Sequence, residues 1–100
     1  MVGVATFLAV SMVRAAEIHD AVEAGDVAKV QQLLDTTPNL VNAKNDGGAT
    51  PLHLAAGLNN KAIVKLLIEK GADVNARTKQ GWTPLHWAAH MNSADVAILL

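Results

Sequence analysis

Apolar residues recur every three or four positions along much of the chain, which is the spacing of a helix with one buried face. The clearest segment begins near Lys61, and its apolar positions are Ile63, Val64, Leu66, Leu67 and Ile68. The polar positions interleaved with them are Lys61, Lys65, Glu69 and Lys70. Gly71 follows, and glycine ends helices because it adopts the left-handed conformation without strain. The pattern predicts an amphipathic helix that begins near Lys61 and ends before Gly71.

Two shorter apolar segments each follow a Thr-Pro pair, at Thr50-Pro51 and at Thr83-Pro84. A threonine N-cap accepts a hydrogen bond from the first-turn amides, and proline suits the first helical position because an N–H is not needed there. The apolar residues that follow are Leu52, Leu54, Ala55 and Ala56 in the first segment and Leu85, Trp87, Ala88 and Ala89 in the second. The pattern predicts two short helices. Because Trp87 takes the position of Leu54, we expect it in the core.

Three separate motifs recur at one offset of 33 positions. Thr50-Pro51-Leu52-His53 returns as Thr83-Pro84-Leu85-His86, Val41-Asn42-Ala43 as Val74-Asn75-Ala76, and Ala55-Ala56 as Ala88-Ala89. The period and the T-P-L-H-x-A signature resemble the ankyrin repeat, and the resemblance covers about residues 17–100. It implies an all-α solenoid of stacked helix-turn-helix units, each with a β-hairpin finger.

The resemblance also predicts the domain organisation. We expect a capping repeat at residues 16–47, a full repeat at 48–80 and a partial repeat at 81–100. The first unit lacks the Thr-Pro start, as terminal repeats often do, because one of their faces meets water. At the other end Leu99-Leu100 aligns with Leu66-Leu67, in the middle of a helix. The chain is therefore expected to be C-terminally truncated, a fragment of a protein with more repeats.

Residues 1–15 are predicted to be a signal peptide. Residues 2–13 are uncharged and almost all apolar or small, and twelve residues are fewer than the roughly 20 that cross a bilayer. Val13 and Ala15 provide the small side chains before a cut at Ala16. A periplasmic or secreted location follows. No Lys or Arg precedes the apolar run, so a buried helix, a wrong start codon and a truncated membrane segment are alternatives, and the chain would then be cytoplasmic.

Composition argues against several classes of function. Eight basic and nine acidic residues give a formal net charge of -1, so no basic excess exists to neutralise a nucleic-acid backbone. The chain has no cysteine, which excludes disulfides, thiolate zinc sites and a cysteine nucleophile. We therefore expect no nucleic-acid partner, and no membrane contact once the leader is removed.

The candidate chemistry is limited to histidines. His86 and His90 stand four apart, as in the H-E-x-x-H zinc motif, but no glutamate follows His86. The resemblance instead assigns His53 and His86 to hydrogen bonds with threonine and backbone between repeats. Ser93 lacks a G-x-S-x-G elbow. We expect no catalytic residue, no cofactor and no metal, and zinc-dependent hydrolysis through His86 and His90 is the weakest alternative.

The resemblance implies that the finger tips and the adjoining inner helix surface bind a partner. Carried over to this chain, those positions are Lys44, Asp46, Gly47, Ala49, Gly57 and Leu58 in one unit and Arg77, Lys79, Gln80, Trp82, His90 and Met91 in the next. Trp82 is the expected anchor, because large aromatic side chains dominate binding energy at interfaces. Packing of Trp82 on the adjacent finger is the alternative.

Two departures from the family pattern affect these units. Asn45 and Thr78 replace the usual finger aspartate, and we expect this to loosen the finger hydrogen bonds. Asn59 and Asn92 replace the usual glycine between the helices, a mild change because asparagine tolerates the left-handed conformation.

The sequence thus predicts a protein-protein interaction scaffold whose partner is another protein. Two alternatives are an inhibitor or immunity-type protein that blocks a toxin or enzyme, and an ankyrin segment of a larger enzyme or channel.

Overall fold

The computed structural model describes residues 16–100. The predicted signal peptide lies outside the described residues, and the boundaries proposed between repeats stay predictions. None of the helices in residues 16–100 is long and apolar enough to cross a membrane.

The described chain contains helices and no strands, which confirms the all-α solenoid, and residues 43–50 and 70–83 are turns and irregular backbone. Its helices are α1 (residues 16–24), α2 (Val27–Thr36), α3 (Pro51–Gly57), α4 (Lys61–Glu69), α5 (Pro84–His90) and α6 (Ala94–Ala97). A 3-10 helix at Pro38–Asn42 follows α2. The predicted helix from Lys61 begins and ends as expected.

The helices form an inner and an outer row. α3 packs against α5 in the inner row, whereas α2 packs against α4 and α4 against α6 in the outer row. The core between the rows consists mainly of fully buried aliphatic side chains, which are Ile18, Val22, Val30, Leu52, Ala55, Ala56, Ile63, Val64, Leu67, Ala88 and Val96. Small and aliphatic residues let the two rows approach closely along the whole stack.

Side-chain caps define where the outer helices begin. The Asp26 carboxylate accepts a hydrogen bond from the Lys29 N–H at 3.1 Å, at the start of α2. The Asn60 side chain accepts one from the Ile63 N–H at 3.1 Å, at the start of α4. These bonds satisfy first-turn donors that have no partner within the helix.

The turns between paired helices are left-handed where the sequence analysis expected them to be. Asn59 has a φ of 56° and Asn92 a φ of 59°, so both asparagines adopt the conformation that glycine usually supplies. Gly71, which follows α4, has a φ of 94°.

The fingers are tight turns, and the described residues contain no β-strand. The Asn45 N–H donates to the Ala49 carbonyl at 2.9 Å, and the Thr78 N–H donates to the Trp82 carbonyl at 2.9 Å. A second backbone bond lies inside each turn, from the Gly48 N–H to the Asn45 carbonyl at 2.9 Å and from the Gly81 N–H to the Thr78 carbonyl at 2.8 Å, and no strand ladder extends beyond them. The hairpin implied by the resemblance is therefore reduced here to a closed turn.

The expected loosening of the fingers is wrong. The Asn45 side-chain oxygen accepts hydrogen bonds from the N–H groups of Gly47 and Ala49, both at 3.0 Å. In the second finger the Thr78 hydroxyl accepts one from the Trp82 N–H at 3.1 Å. An amide or hydroxyl oxygen accepts these bonds as a carboxylate would, so the substitutions preserve the turn.

Gly48 lies where the two fingers meet, and we expect Gly48→Ala to destabilise the protein by about 2–4 kcal/mol. Its φ is 83°, and an added Cβ would lie 2.9 Å from the Lys79 backbone nitrogen. That nitrogen donates to the Gly47 carbonyl at 3.1 Å, so the clash would separate the fingers. Gly71→Ala is the matched control, because Gly71 has a similar φ but no atom within 4 Å of an added Cβ. Urea unfolding of the two variants measures the difference, and equal losses would contradict the contact argument.

Candidate binding surface

An apolar depression covers the inner face of the helices. One part has a volume of about 360 Å³ and is lined by Gln80, Trp82, Trp87, His90 and Met91. The adjoining part has the same volume and is lined by Glu23, Leu54, Gly57, Leu58, Trp87 and Met91. Because Trp87 and Met91 line both parts, we treat these residues as one continuous surface and call it the inner groove.

Trp82 forms the finger-side wall of the inner groove and is 36% exposed. Its ring centroid lies 5.2 Å from that of His90, with the planes at 81°, and 6.4 Å from that of His86. Edge-to-face contacts of this kind hold an aromatic ring in one orientation. Trp82 is thus a partly exposed side chain positioned by two histidines of α5.

Trp87 lies in the centre of the inner groove and is half-buried, so the expectation that it belongs to the core is wrong. Its ring meets the His53 ring edge-on at 5.6 Å. A Cβ added at Gly57 would lie 3.3 Å from the Trp87 ring, so the glycine leaves room for the indole against α3. Leu54, the counterpart of Trp87, is also half-buried. The position therefore faces the groove in both units.

His53 ties the second unit to the finger of the third. Its Nδ1 accepts a hydrogen bond from the Thr50 N–H at 3.0 Å and lies 2.9 Å from the Thr50 hydroxyl. The proton is therefore on Nε2, which donates to the Trp82 carbonyl at 2.8 Å. The side chain is fully buried, and desolvation by burial lowers the pKa of His53, although its hydrogen bond to Trp82 partly opposes this. A neutral histidine thus holds the backbone that carries the groove tryptophan.

His19 makes the same kind of contact one unit earlier, and sequence reasoning missed it. Its Nε2 lies 3.1 Å from the Ala49 carbonyl, and Ala49 precedes Thr50 as Trp82 precedes Thr83. The spacing from His19 to His53 is 34, not 33, because the loop after α2 is one residue longer. Allowing that one-residue insertion was the signal that would have found His19. With the same offset of 34, Glu23 is the residue of the first unit that corresponds to Gly57, and it also lines the inner groove.

His86 repeats the local cap at the start of α5 but is exposed. Its Nδ1 accepts from the Thr83 N–H at 3.0 Å, and the Thr83 hydroxyl accepts from the His86 N–H at 3.3 Å. His90 lies against the Trp82 ring. Across residues 16–100, no three histidine or acidic side chains converge on a point where a metal ion could bind.

Most of the residues predicted to contact a partner are exposed. These are Lys44, Asp46, Gly47, Leu58, Arg77, Lys79, Gln80, Trp82, His90 and Met91. The prediction that Ala49 contacts a partner is wrong, because this residue is only 3% exposed. Its N–H donates to the Asn45 side chain and its carbonyl lies against His19, so Ala49 closes the first finger and offers no side chain to a partner.

Charge is distributed unevenly around the inner groove. In the second finger the Arg77 guanidinium donates to the Gly81 carbonyl at 2.9 Å, beside Trp82. The ion pair found in the described chain is Lys70–Asp35 at 2.8 Å, so neither Arg77 nor Lys79 has a carboxylate within 4 Å there. The finger that carries Trp82 therefore also carries two cations without a paired acid.

The chain is similar to known ankyrin-repeat proteins. A family model described as ankyrin repeats (3 copies) matches residues 18–100. A fowlpox virus ankyrin repeat protein is 47% identical over 57 residues, which cover 57% of this chain and 14% of that protein. The rat ankyrin repeat and SAM domain-containing protein 6 is 43% identical over 61 residues, covering 61% of this chain and 7% of that protein.

An enzyme is also among the relatives. The human 2-5A-dependent ribonuclease is 45% identical over 53 residues, which cover 53% of this chain and 7% of the ribonuclease. The chain thus spans 14% or less of the length of these three proteins.

Proposed function

Because this chain belongs to the ankyrin-repeat family, whose repeats generally mediate protein–protein interactions, we propose that it binds another protein through its second finger and inner groove. The observation that carries the proposal is the inner groove itself. Leu58 is 53% exposed, Met91 57% and Trp82 36%, and these three side chains line one depression. Contiguous exposed apolar side chains with a polar rim are typical of binding sites.

The proposal assigns no catalysis to this region. His53 is buried in a contact between units, and His86 caps a helix. Since the chain matches a small part of a ribonuclease, an ankyrin segment within a larger enzyme is the second candidate function. In that case the catalytic residues would lie in another part of the protein, and the groove would serve the same binding role.

Export through residues 1–15 belongs to the same proposal, because a partner has to be in the same compartment. It is supported by the length and apolar composition of residues 2–13. Intact mass of the product from separated cell fractions tests it: an extracytoplasmic protein that starts at Ala16 supports export, and a full-length cytoplasmic protein contradicts it.

The binding site is testable by single-cysteine labelling, because the chain has no cysteine of its own. Leu58→Cys places an environment-sensitive fluorophore in the inner groove, and Val27→Cys places one on α2, where Val27 is 37% exposed and lines no part of the groove. The ligands are peptides selected against the full chain from a displayed random library.

We expect these peptides to change the fluorescence at position 58 and leave that at position 27 unchanged. A response at position 27 alone, or a library that yields no binding peptide, would contradict the proposed function.

A further inference from the structure

The rim of the inner groove has opposite charges at its two ends. At the α1 end a hollow of about 400 Å³ contains Asp20, Glu23 and Asp46, and Glu23 also lines the groove. Lys44 also lines this hollow, but its Nζ donates to the Arg77 carbonyl at 3.4 Å and so reaches the second finger. At the α5 end Arg77 and Lys79 belong to the same finger as Trp82, the Arg77 guanidinium bonds to the carbonyl of the adjacent Gly81, and neither cation has a carboxylate within 4 Å in the described part of the chain. Between the two ends the lining is mainly apolar, with Gln80 and His90 as its uncharged polar side chains.

This arrangement restricts what can bind. A carboxylate near Glu23 would be repelled, whereas a carboxylate above the second finger would meet two cations with free hydrogen-bonding capacity. Arg77 uses one N–H towards Gly81, and a guanidinium has five. The middle of the groove offers two indole rings and a methionine to a large apolar side chain.

A continuous polyanion fits this surface poorly. A nucleic-acid strand long enough to cross the groove would place phosphates beside Glu23 and Asp20, and two cations offer little counterion release. A short peptide can instead place its charges at one end only.

We propose that the inner groove binds a peptide segment with a large apolar side chain and acidic residues on one side of it. The apolar side chain lies between Trp82, Trp87 and Met91, the carboxylates lie on Arg77 and Lys79, and the opposite side of the segment carries no acid. This inference rests on the proposed function and specifies the chemistry of the partner.

The experiment uses the same displayed random library and the full chain. We expect the enriched peptides to carry an apolar residue flanked on one side by Asp or Glu. A labelled peptide from this pool is then titrated by fluorescence anisotropy against Arg77→Glu/Lys79→Glu. As matched control, Lys61→Glu/Lys65→Glu makes the same change in charge on the exposed face of α4.

We expect Arg77→Glu/Lys79→Glu to lower the affinity for the acid-flanked peptide about 10-fold or more. The control should change this affinity less than about 2-fold, because electrostatic interactions between exposed charges are screened beyond roughly one Debye length. The finger variant is also expected to select peptides flanked by Lys or Arg.

Two results would overturn the inference while leaving the proposed function intact. One is a set of selected peptides that is not enriched in Asp or Glu but still needs Trp82 for binding. The other is an equal loss of peptide affinity in Arg77→Glu/Lys79→Glu and in Lys61→Glu/Lys65→Glu. Tighter binding of a labelled 12-nucleotide DNA strand than of the peptide would also overturn it. A pool that fails to perturb the fluorophore at position 58 would reject the proposed function itself.

Discussion

Replacing His53 by alanine is expected to lower the free energy of unfolding by about 2–4 kcal/mol. The variant loses the 2.8 Å hydrogen bond to the Trp82 carbonyl and leaves that acceptor without its donor. It also removes the acceptor of the Thr50 N–H, a group in a fully buried setting. A cavity beside the Trp87 ring adds to the loss, because surrounding side chains relax only partly into vacated space. Urea denaturation of the full chain measures the change.

His86→Ala is the matched control for His53→Ala. Both histidines accept a hydrogen bond from the N–H of a threonine N-cap at 3.0 Å. His86 is exposed, and no hydrogen bond from its Nε2 to another unit is found within residues 16–100. We expect His86→Ala to cost about 1 kcal/mol or less, the typical value of a capping interaction. Equal losses in the two variants would show that the contact between units contributes nothing.

The pH dependence of stability gives a second measure of the His53 contact. Burial lowers the pKa of His53 in the folded chain below its ordinary value of 6.5, so the unfolded chain binds the proton more tightly. The contribution of His53 is therefore fully present above about pH 6.5 and is lost as the pH falls through the lowered pKa. We expect the free energy of unfolding to fall between about pH 7 and pH 5, and to fall less steeply in His53→Ala. Parallel slopes would contradict this.

Trp82→Ala is expected to weaken binding of a groove ligand by about 30-fold or more, which corresponds to an interface hot spot. The side chain is partly exposed and lines the groove together with Trp87 and Met91. The fold should change little, because His53 bonds to the backbone carbonyl of residue 82, which alanine retains. Titration of a selected peptide against the full-length variant measures the loss.

Val27→Ala provides the comparison for Trp82→Ala. The two residues have nearly the same exposed fraction, 37% and 36%, but Val27 lies on α2 outside the inner groove. We expect the Val27→Ala variant to bind the selected peptide within about 2-fold of the unsubstituted chain, since surface changes away from a contact have small effects. An unchanged affinity in Trp82→Ala, with the fold intact, would remove Trp82 from the binding surface.

The helices of this protein could be predicted from sequence because their determinants are local. The Thr-Pro starts at Thr50 and Thr83, the left-handed residues at Asn59 and Gly71 and the apolar stripe of α4 act within a few residues of one another. The 33-residue offset then identified the architecture, since units of the same sequence pattern stack in the same way. Most of the exposed finger residues followed from that register.

The binding surface depended on contacts between units, which no local pattern contains. Ala49 is buried at the junction where His19 of the preceding unit reaches its carbonyl, and a one-residue insertion hid that partner in the sequence. Trp87 packs against α3 where Gly57, thirty positions earlier, leaves room for its ring. The repeat pattern by itself determined the helices and their order. Only the tertiary structure decided which side chains line the inner groove, because burial is set by the neighbouring unit on which each helix packs.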